Sequence, residues 1–166
     1  MGYYQARLSI ETARLLEGMR IYYEKKIGGN VSKGDCLIMA YADSLWVEDW
    51  KKIFDEPTPP TDKYEISPTA QLLKVQVTDD VKNGIQDLKK TLPKLIGTRS
   101  VTVGISIREI LKAAYIKNNK SKIPENIRDL FRQEKERINY EVNSLEKPDI
   151  INLLDGIENQ IIDLLN

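Results

Sequence analysis

Two stretches of the chain alternate apolar and polar residues and then lengthen to helical spacing, and a proline-rich break separates them. In Gln5-Ala-Arg-Leu-Ser-Ile10, Ala6, Leu8 and Ile10 fall on one side, while Gln5, Arg7 and Ser9 fall on the other. That period of two predicts a half-buried strand. From Glu11-Thr12 onward, Leu16, Met19, Tyr23 and Ile27 recur at helical spacing, and Gly28-Gly29-Asn30 provides the stop. A second helix is expected from Ser32, an N-cap residue followed by Asp35 as an imperfect capping box. Its apolar positions are Leu37, Ile38, Tyr41, Leu45 and Trp46.

The same order returns further on. Leu73, Val75 and Val77 alternate with Leu72, Lys74 and Gln76, and Thr78-Asp79-Asp80 opens a helix bearing Val81, Ile85, Leu88, Leu92 and Leu95. Pro93 inside that pattern is expected to kink or shorten the helix, and Gly97 ends it. Thr102 caps the next, which carries Ile105, Ile110, Leu111 and Ala114. Val31-Ser32-Lys33-Gly34 and Val101-Thr102-Val103-Gly104 open the two second helices alike, and two units of one architecture in a chain are an internal repeat. The repeat is imperfect: Ile10 stands five or six residues before Leu15 or Leu16, whereas Val77 stands four before Val81.

Four segments follow. Residues 1–54 and 71–120 are the two units. Residues 55–70 are a linker in which Pro57, Pro59, Pro60 and Pro68 hold the backbone extended, with a reach of roughly 50 Å at about 3.3 Å per residue. Residues 121–166 form a helical tail: Ile127, Leu130, Phe131, Ile138, Val142 and Leu145 make a broken apolar stripe up to Lys147-Pro148. A short helix with Ile150, Ile151, Leu153, Leu154, Ile157, Ile161, Ile162, Leu164 and Leu165 comes after it. The tail is expected to pack on the core, associate with another copy or bind a protein partner.

Composition narrows the chemistry. With 41% hydrophobic and 30% charged residues the chain can bury a core. It has a single cysteine, Cys36, and no histidine, so thiolate and imidazole zinc cages and Ser-His or Cys-His catalysis are not expected. Asp79 and Asp80 could hold a metal, but adjacent carboxylates at a helix start favour the helix dipole. No enzyme activity, metal or cofactor is expected. No stretch approaches the about eighteen consecutive apolar residues of a membrane span, and the N-terminus lacks an export pattern, so a cytoplasmic protein without a membrane partner is expected.

The net charge of zero argues against a nucleic-acid partner, but its distribution does not. Lys and Arg stand against Asp and Glu as 8 to 7 in residues 1–54, 1 to 4 in 55–70, 10 to 4 in 71–120 and 6 to 10 in 121–166. The second unit is strongly basic and the tail acidic, which suits a basic face on nucleic acid with the acidic part turned to other work.

Taken together, the strand-helix-helix repeat over residues 5–46 and 72–117 resembles the ribbon-helix-helix family to which MetJ and Arc belong. The resemblance implies a mainly α fold with a short two-stranded antiparallel β-ribbon: a tandem ribbon-helix-helix pseudo-dimer plus C-terminal helices. In that family the ribbon lies in the DNA major groove and its outward side chains read bases, which here are Gln5, Arg7, Ser9, Leu72, Lys74 and Gln76. The family docks the N-terminus of its second helix on phosphate, which implies Ser32, Lys33 and Gly34, and Thr102, Val103 and Gly104. The residue chemistry is consistent: Arg7 and Lys74 suit guanine O6 and N7, and Gln5 or Gln76 suits adenine. Leu72 and Ile105 depart from the polar reader and the capping acid expected at their positions. Two units on one polypeptide resemble the TraY-type accessory proteins of conjugative relaxosomes. The functions implied are a transcriptional repressor, a relaxosome accessory protein at an origin of transfer on a plasmid, or an antitoxin-like module with a partner-binding tail. Double-stranded DNA is the partner implied, with self-association or a protein partner through residues 121–166.

Overall fold

The computed structural model describes residues 3–61, 65–120, 122–141 and 147–165. Residues 62–64 of the linker, Ser121, and Val142 and Leu145 of the tail stripe lie outside them. The chain is mainly helical with one two-stranded antiparallel sheet, and it divides into two compact units, Met1–Lys117 and Asn118–Asn166.

The first unit begins with β1 (Tyr3–Arg7), α1 (Ile10–Ile27), α2 (Lys33–Ser44) and the short α3 (Trp50–Asp55). After the linker and a 3-10 turn at Pro68–Gln71 come β2 (Leu72–Gln76), α4 (Asp79–Ile96) and α5 (Val103–Lys120). Thus the order strand, helix, helix occurs twice, and the two strands pair with each other. Ser9 and Thr78 cap α1 and α4 through their side-chain oxygens, and Gly28 and Gly97 end them in the left-handed conformation, at φ 76° and 74°.

The inward residues of both strands and the facing sides of α1, α2, α4 and α5 form one apolar cluster. It includes Leu8, Leu16, Tyr23 and Leu37 from the first half and Leu73, Ile85, Leu92 and Leu111 from the second. Each such aliphatic side chain contributes about 1.5–3 kcal/mol when fully buried. Neither strand and helix pair could bury its own apolar face alone, so the two halves complete one core.

Several expectations are corrected. The first strand ends at Arg7, and Ile10 is the exposed first residue of α1 rather than an inward strand residue. Leu8 is the last inward residue before α1, four positions from the buried Thr12, just as Val77 is four from Val81. The unequal register of the two halves therefore disappears: a threonine, its Oγ1 paired with Ser9 Oγ at 2.9 Å, occupies an apolar-type position in α1. Pro93 neither ends nor shortens α4, which runs to Ile96; its carbonyl accepts from the amides of Gly97 and Thr98, and its ring is buried. Leu45 and Trp46 lie beyond α2, where Ser44 Oγ donates to the Tyr41 carbonyl at 2.7 Å. Trp46 Nε1 donates instead to the Ala113 carbonyl at 3.2 Å.

The start of the linker is tied down by a buried cation. Lys112 Nζ donates to the carbonyls of Phe54 and Glu56, at 3.2 and 2.6 Å, and pairs with Glu109 at 3.1 Å. Glu109 also pairs with Arg108 at 2.7 Å, and the Arg108 guanidinium lies over the Phe54 ring. The last carbonyls of a helix have no partner within it, and Lys112 supplies a charged donor for two at the C-terminal end of α3, those of Phe54 and the capping Glu56.

In the second unit α6 (Lys122–Glu141) and α7 (Lys147–Leu165) are joined by Lys135, which pairs with Asp155 and, at 2.6 Å, with Glu158. These two carboxylates hold the Lys135 ammonium above the ordinary lysine range. The final helix is nineteen residues long rather than short. Among the described residues no helix is long and apolar enough to cross a membrane.

Candidate nucleic-acid interface

The register of the two strands fixes what the ribbon presents. Tyr3 stands opposite Gln76, Gln5 opposite Lys74 and Arg7 opposite Leu72. All six are exposed, whereas Tyr4, Ala6, Leu73 and Val75 point into the core. This face carries Arg7 and Lys74 and no carboxylate. Among the described residues the side chains of Gln5, Arg7 and Gln76 take part in no hydrogen bond or ion pair. Lys74 Nζ lies 4.9 Å from the centroid of the Tyr3 ring, a cation–π contact worth about 0.5–1 kcal/mol at an exposed site.

Five of the six expected reading residues are therefore on one face, and Ser9 is not. Ser9 follows the strand, and its oxygen accepts from the Thr12 amide at 3.1 Å, so it is committed to starting α1. Tyr3 takes the outward place instead. The missed signal was Tyr4, which continues the inward phase of Ala6 and Leu8, in a Tyr-Tyr pair of high strand preference.

The two second helices begin behind the ribbon in reciprocal fashion. A β-carbon on Gly34 of α2 would lie 2.5 Å from the Gln76 carbonyl oxygen of β2, and one on Gly104 of α5 would lie 2.5 Å from the Arg7 carbonyl oxygen of β1. Each helix thus docks on the strand from the other half of the unit. Gly34 and Gly104 are buried and serve this close approach, whereas Ser32 and Thr102 are exposed and Lys33 and Val103 half-buried.

Electrostatically the two helix starts differ. Ser32 Oγ accepts from the Asp35 amide at 3.1 Å, while the Asp35 carboxylate accepts from the Ser32 amide and hydroxyl at 3.3 and 2.6 Å. The capping box is complete, and it puts a negative charge at the start of α2. Thr102 Oγ1 accepts from the Ile105 amide at 3.2 Å, so α5 is capped without a carboxylate. An anion is favoured at a helix start by free amides and the dipole, which makes the Thr102 end the better place for one. Near α2, Glu17 is held below the ordinary carboxylate range chiefly by its hydrogen bonds from Arg20, the shortest 2.6 Å. Lys33 adds a smaller Coulombic pull in the same direction.

Comparison of the chain with protein-family models, characterised proteins and solved structures finds no match.

Proposed function

We propose that Met1–Lys117 is a tandem ribbon-helix-helix pseudo-dimer that binds double-stranded DNA sequence-specifically, with the ribbon in the major groove, and acts as a transcriptional repressor. One observation carries the reading: an antiparallel two-stranded ribbon exposes Gln5, Arg7, Lys74 and Gln76 on a single face that holds no carboxylate. A two-stranded ribbon fits the major groove, about 12 Å wide, and these side chains match the donor and acceptor edges found there. Arg7 suits guanine, Lys74 donates to the same kind of edge, and Gln5 and Gln76 suit adenine. The exposed start of α5 at Thr102 is the favoured phosphate contact, with Ser32 and Lys33 the weaker counterpart. The protein on this reading is a binding protein and not an enzyme.

The two halves lie on one polypeptide, which favours as a second reading an accessory factor that marks an origin of transfer, since a single chain can then occupy an asymmetric site. The experiment that tests the common binding mode is selection of duplexes from a random pool by the full chain, followed by titration at several salt concentrations. A selected consensus, with affinity that falls linearly on a log–log salt plot, is expected. Failure to enrich any sequence overturns the proposal. The location of the consensus, over a promoter or beside a nicking site, separates the two roles.

A further inference from the structure

Hydrogen-bond readout leaves two side chains on the ribbon face unused. Tyr3 and Leu72 are 65% and 61% exposed. Each is the first residue of its strand, so antiparallel pairing puts them at opposite corners: Tyr3 across from Gln76, Leu72 across from Arg7. Gln5 and Lys74 face each other between these corners. A single exposed apolar residue carries no message. Two at equivalent places on a face otherwise made of Gln, Arg and Lys do.

In the major groove the apolar feature of a base edge is the thymine C5-methyl group. We infer that Tyr3 and Leu72 are specificity-determining residues that cover thymine methyl groups, one at each end of the ribbon; this rests on the DNA-binding reading proposed above. The Tyr3 ring is held by the Lys74 ammonium, 4.9 Å from its centroid. Its apolar edge and the Lys74 donor are thereby presented together. Each apolar residue also has a polar reader directly across the ribbon. The end with Tyr3 and Gln76 pairs a methyl contact with an adenine reader, which an A·T pair satisfies alone. The end with Leu72 and Arg7 pairs a methyl contact with a guanine reader, which requires a thymine next to a G·C pair. The bound sequence should then have thymine at both ends but differ in the neighbouring base.

The full chain is titrated against its selected duplex and against duplexes in which single thymines are replaced by deoxyuridine, which deletes only the methyl group. An affinity loss of about fourfold is expected at one thymine near each ribbon end, the value of one buried methyl-sized group. Tyr3→Ala should abolish the sensitivity at one end and Leu72→Ala at the other, while Tyr3→Phe keeps both. Indifference to every deoxyuridine in a duplex that the protein still binds specifically overturns this inference and leaves DNA binding intact. Sensitivity that survives in both alanine variants overturns it as well. Absence of binding to any duplex removes the parent reading and this inference with it.

Discussion

Gly34 meets the carbonyl oxygen of Gln76 so closely that a β-carbon there would lie 2.5 Å away, and Gly104 stands in the same relation to Arg7. The backbone of each ribbon strand is therefore seated directly on the first turn of a helix from the opposite half. Gly34→Ala and Gly104→Ala must each push a helix off the ribbon, and overpacking of this kind costs about 1–3 kcal/mol. Urea denaturation should show losses of similar size for the two, because the contacts are reciprocal. Unchanged midpoints would mean that helix and ribbon can separate freely.

The proposed base readout by the ribbon and the helix capping by Ser9 are separable. Arg7→Ala, Lys74→Ala and Gln76→Ala should each lower affinity for a selected duplex by about 1–3 kcal/mol and relax preference at one base, with stability unchanged in the first and third and lowered by about 0.5–1 kcal/mol in Lys74→Ala, which loses the Tyr3 contact. Ser9→Ala should do the reverse: lose about 1 kcal/mol of stability through the cap and keep its base preference. Competition titrations against single-base variants, run beside denaturation curves, distinguish the two outcomes.

Much of this arrangement was legible in the sequence, and the exceptions have physical causes. Repeated element order, both glycine stops and the Ser32 cap follow from local chemistry, which is why the pattern located them. Strand phase was harder. Ile10 continues the apolar alternation, but the Ser9 cap has already turned the chain into α1, and a local hydrogen bond overrides the period. Thr12 was unrecognisable as a core position because its hydroxyl is satisfied only once Ser9 is in place. Pro93 misled for the opposite reason. It removes one amide hydrogen bond from α4, yet its own carbonyl still accepts from Gly97 and Thr98 and its ring is buried in the core, so the helix runs on to Ile96. The reciprocal docking of Gly34 and Gly104 joins residues far apart in the chain, and no local pattern records it.

Lys112 is a buried cation whose removal exposes a cost elsewhere. Lys112→Met leaves Glu109 fully buried with Arg108 as its remaining partner and strips the Phe54 and Glu56 carbonyls at the end of α3 of their donor. Breaking one side of a buried pair costs about 3–5 kcal/mol, whereas replacing both sides by apolar groups is often close to neutral. Lys112→Met should therefore be the more damaging change, and the double variant Lys112→Met with Glu109→Leu should recover much of the loss. A double-mutant cycle in chemical denaturation checks it; additive losses would contradict the coupling.

Cys36 is sealed in the core, its sulfur donating to the Leu16 carbonyl at 3.8 Å, and burial pushes the thiol up to about 12. The folded state prefers the protonated thiol, so this group's contribution is present below the unfolded value of about 8.5 and is lost as pH rises towards 12. Alkaline denaturation should begin later in Cys36→Ala than in the parent chain. At pH 8 a thiol reagent should label the native protein only as fast as it opens, and rapid labelling would contradict the buried position.

The C-terminal helical tail carries charge of the wrong sign for DNA. Residues 121–166 hold ten carboxylates against six basic groups, and phosphate repels such a surface. Within that tail Lys135 pairs with both Asp155 and Glu158 and so ties α7 to α6. Leu130, Leu153 and Leu164 nevertheless remain 64%, 64% and 86% exposed. Apolar side chains spaced along paired helices favour contact with another surface. If that surface belongs to a second copy, two ribbons reach neighbouring subsites on one duplex, and the effective concentration of the second raises affinity without a new base contact. A chain truncated after Lys120 should then keep its base preference, lose cooperativity between adjacent subsites and sediment as a smaller species. In the full chain, Leu130→Ser together with Leu153→Ser should reproduce the loss of cooperativity while single-subsite affinity stays constant. Full cooperativity in both variants would leave the acidic unit without a part in assembly, and its exposed leucines would then have to answer to a different protein.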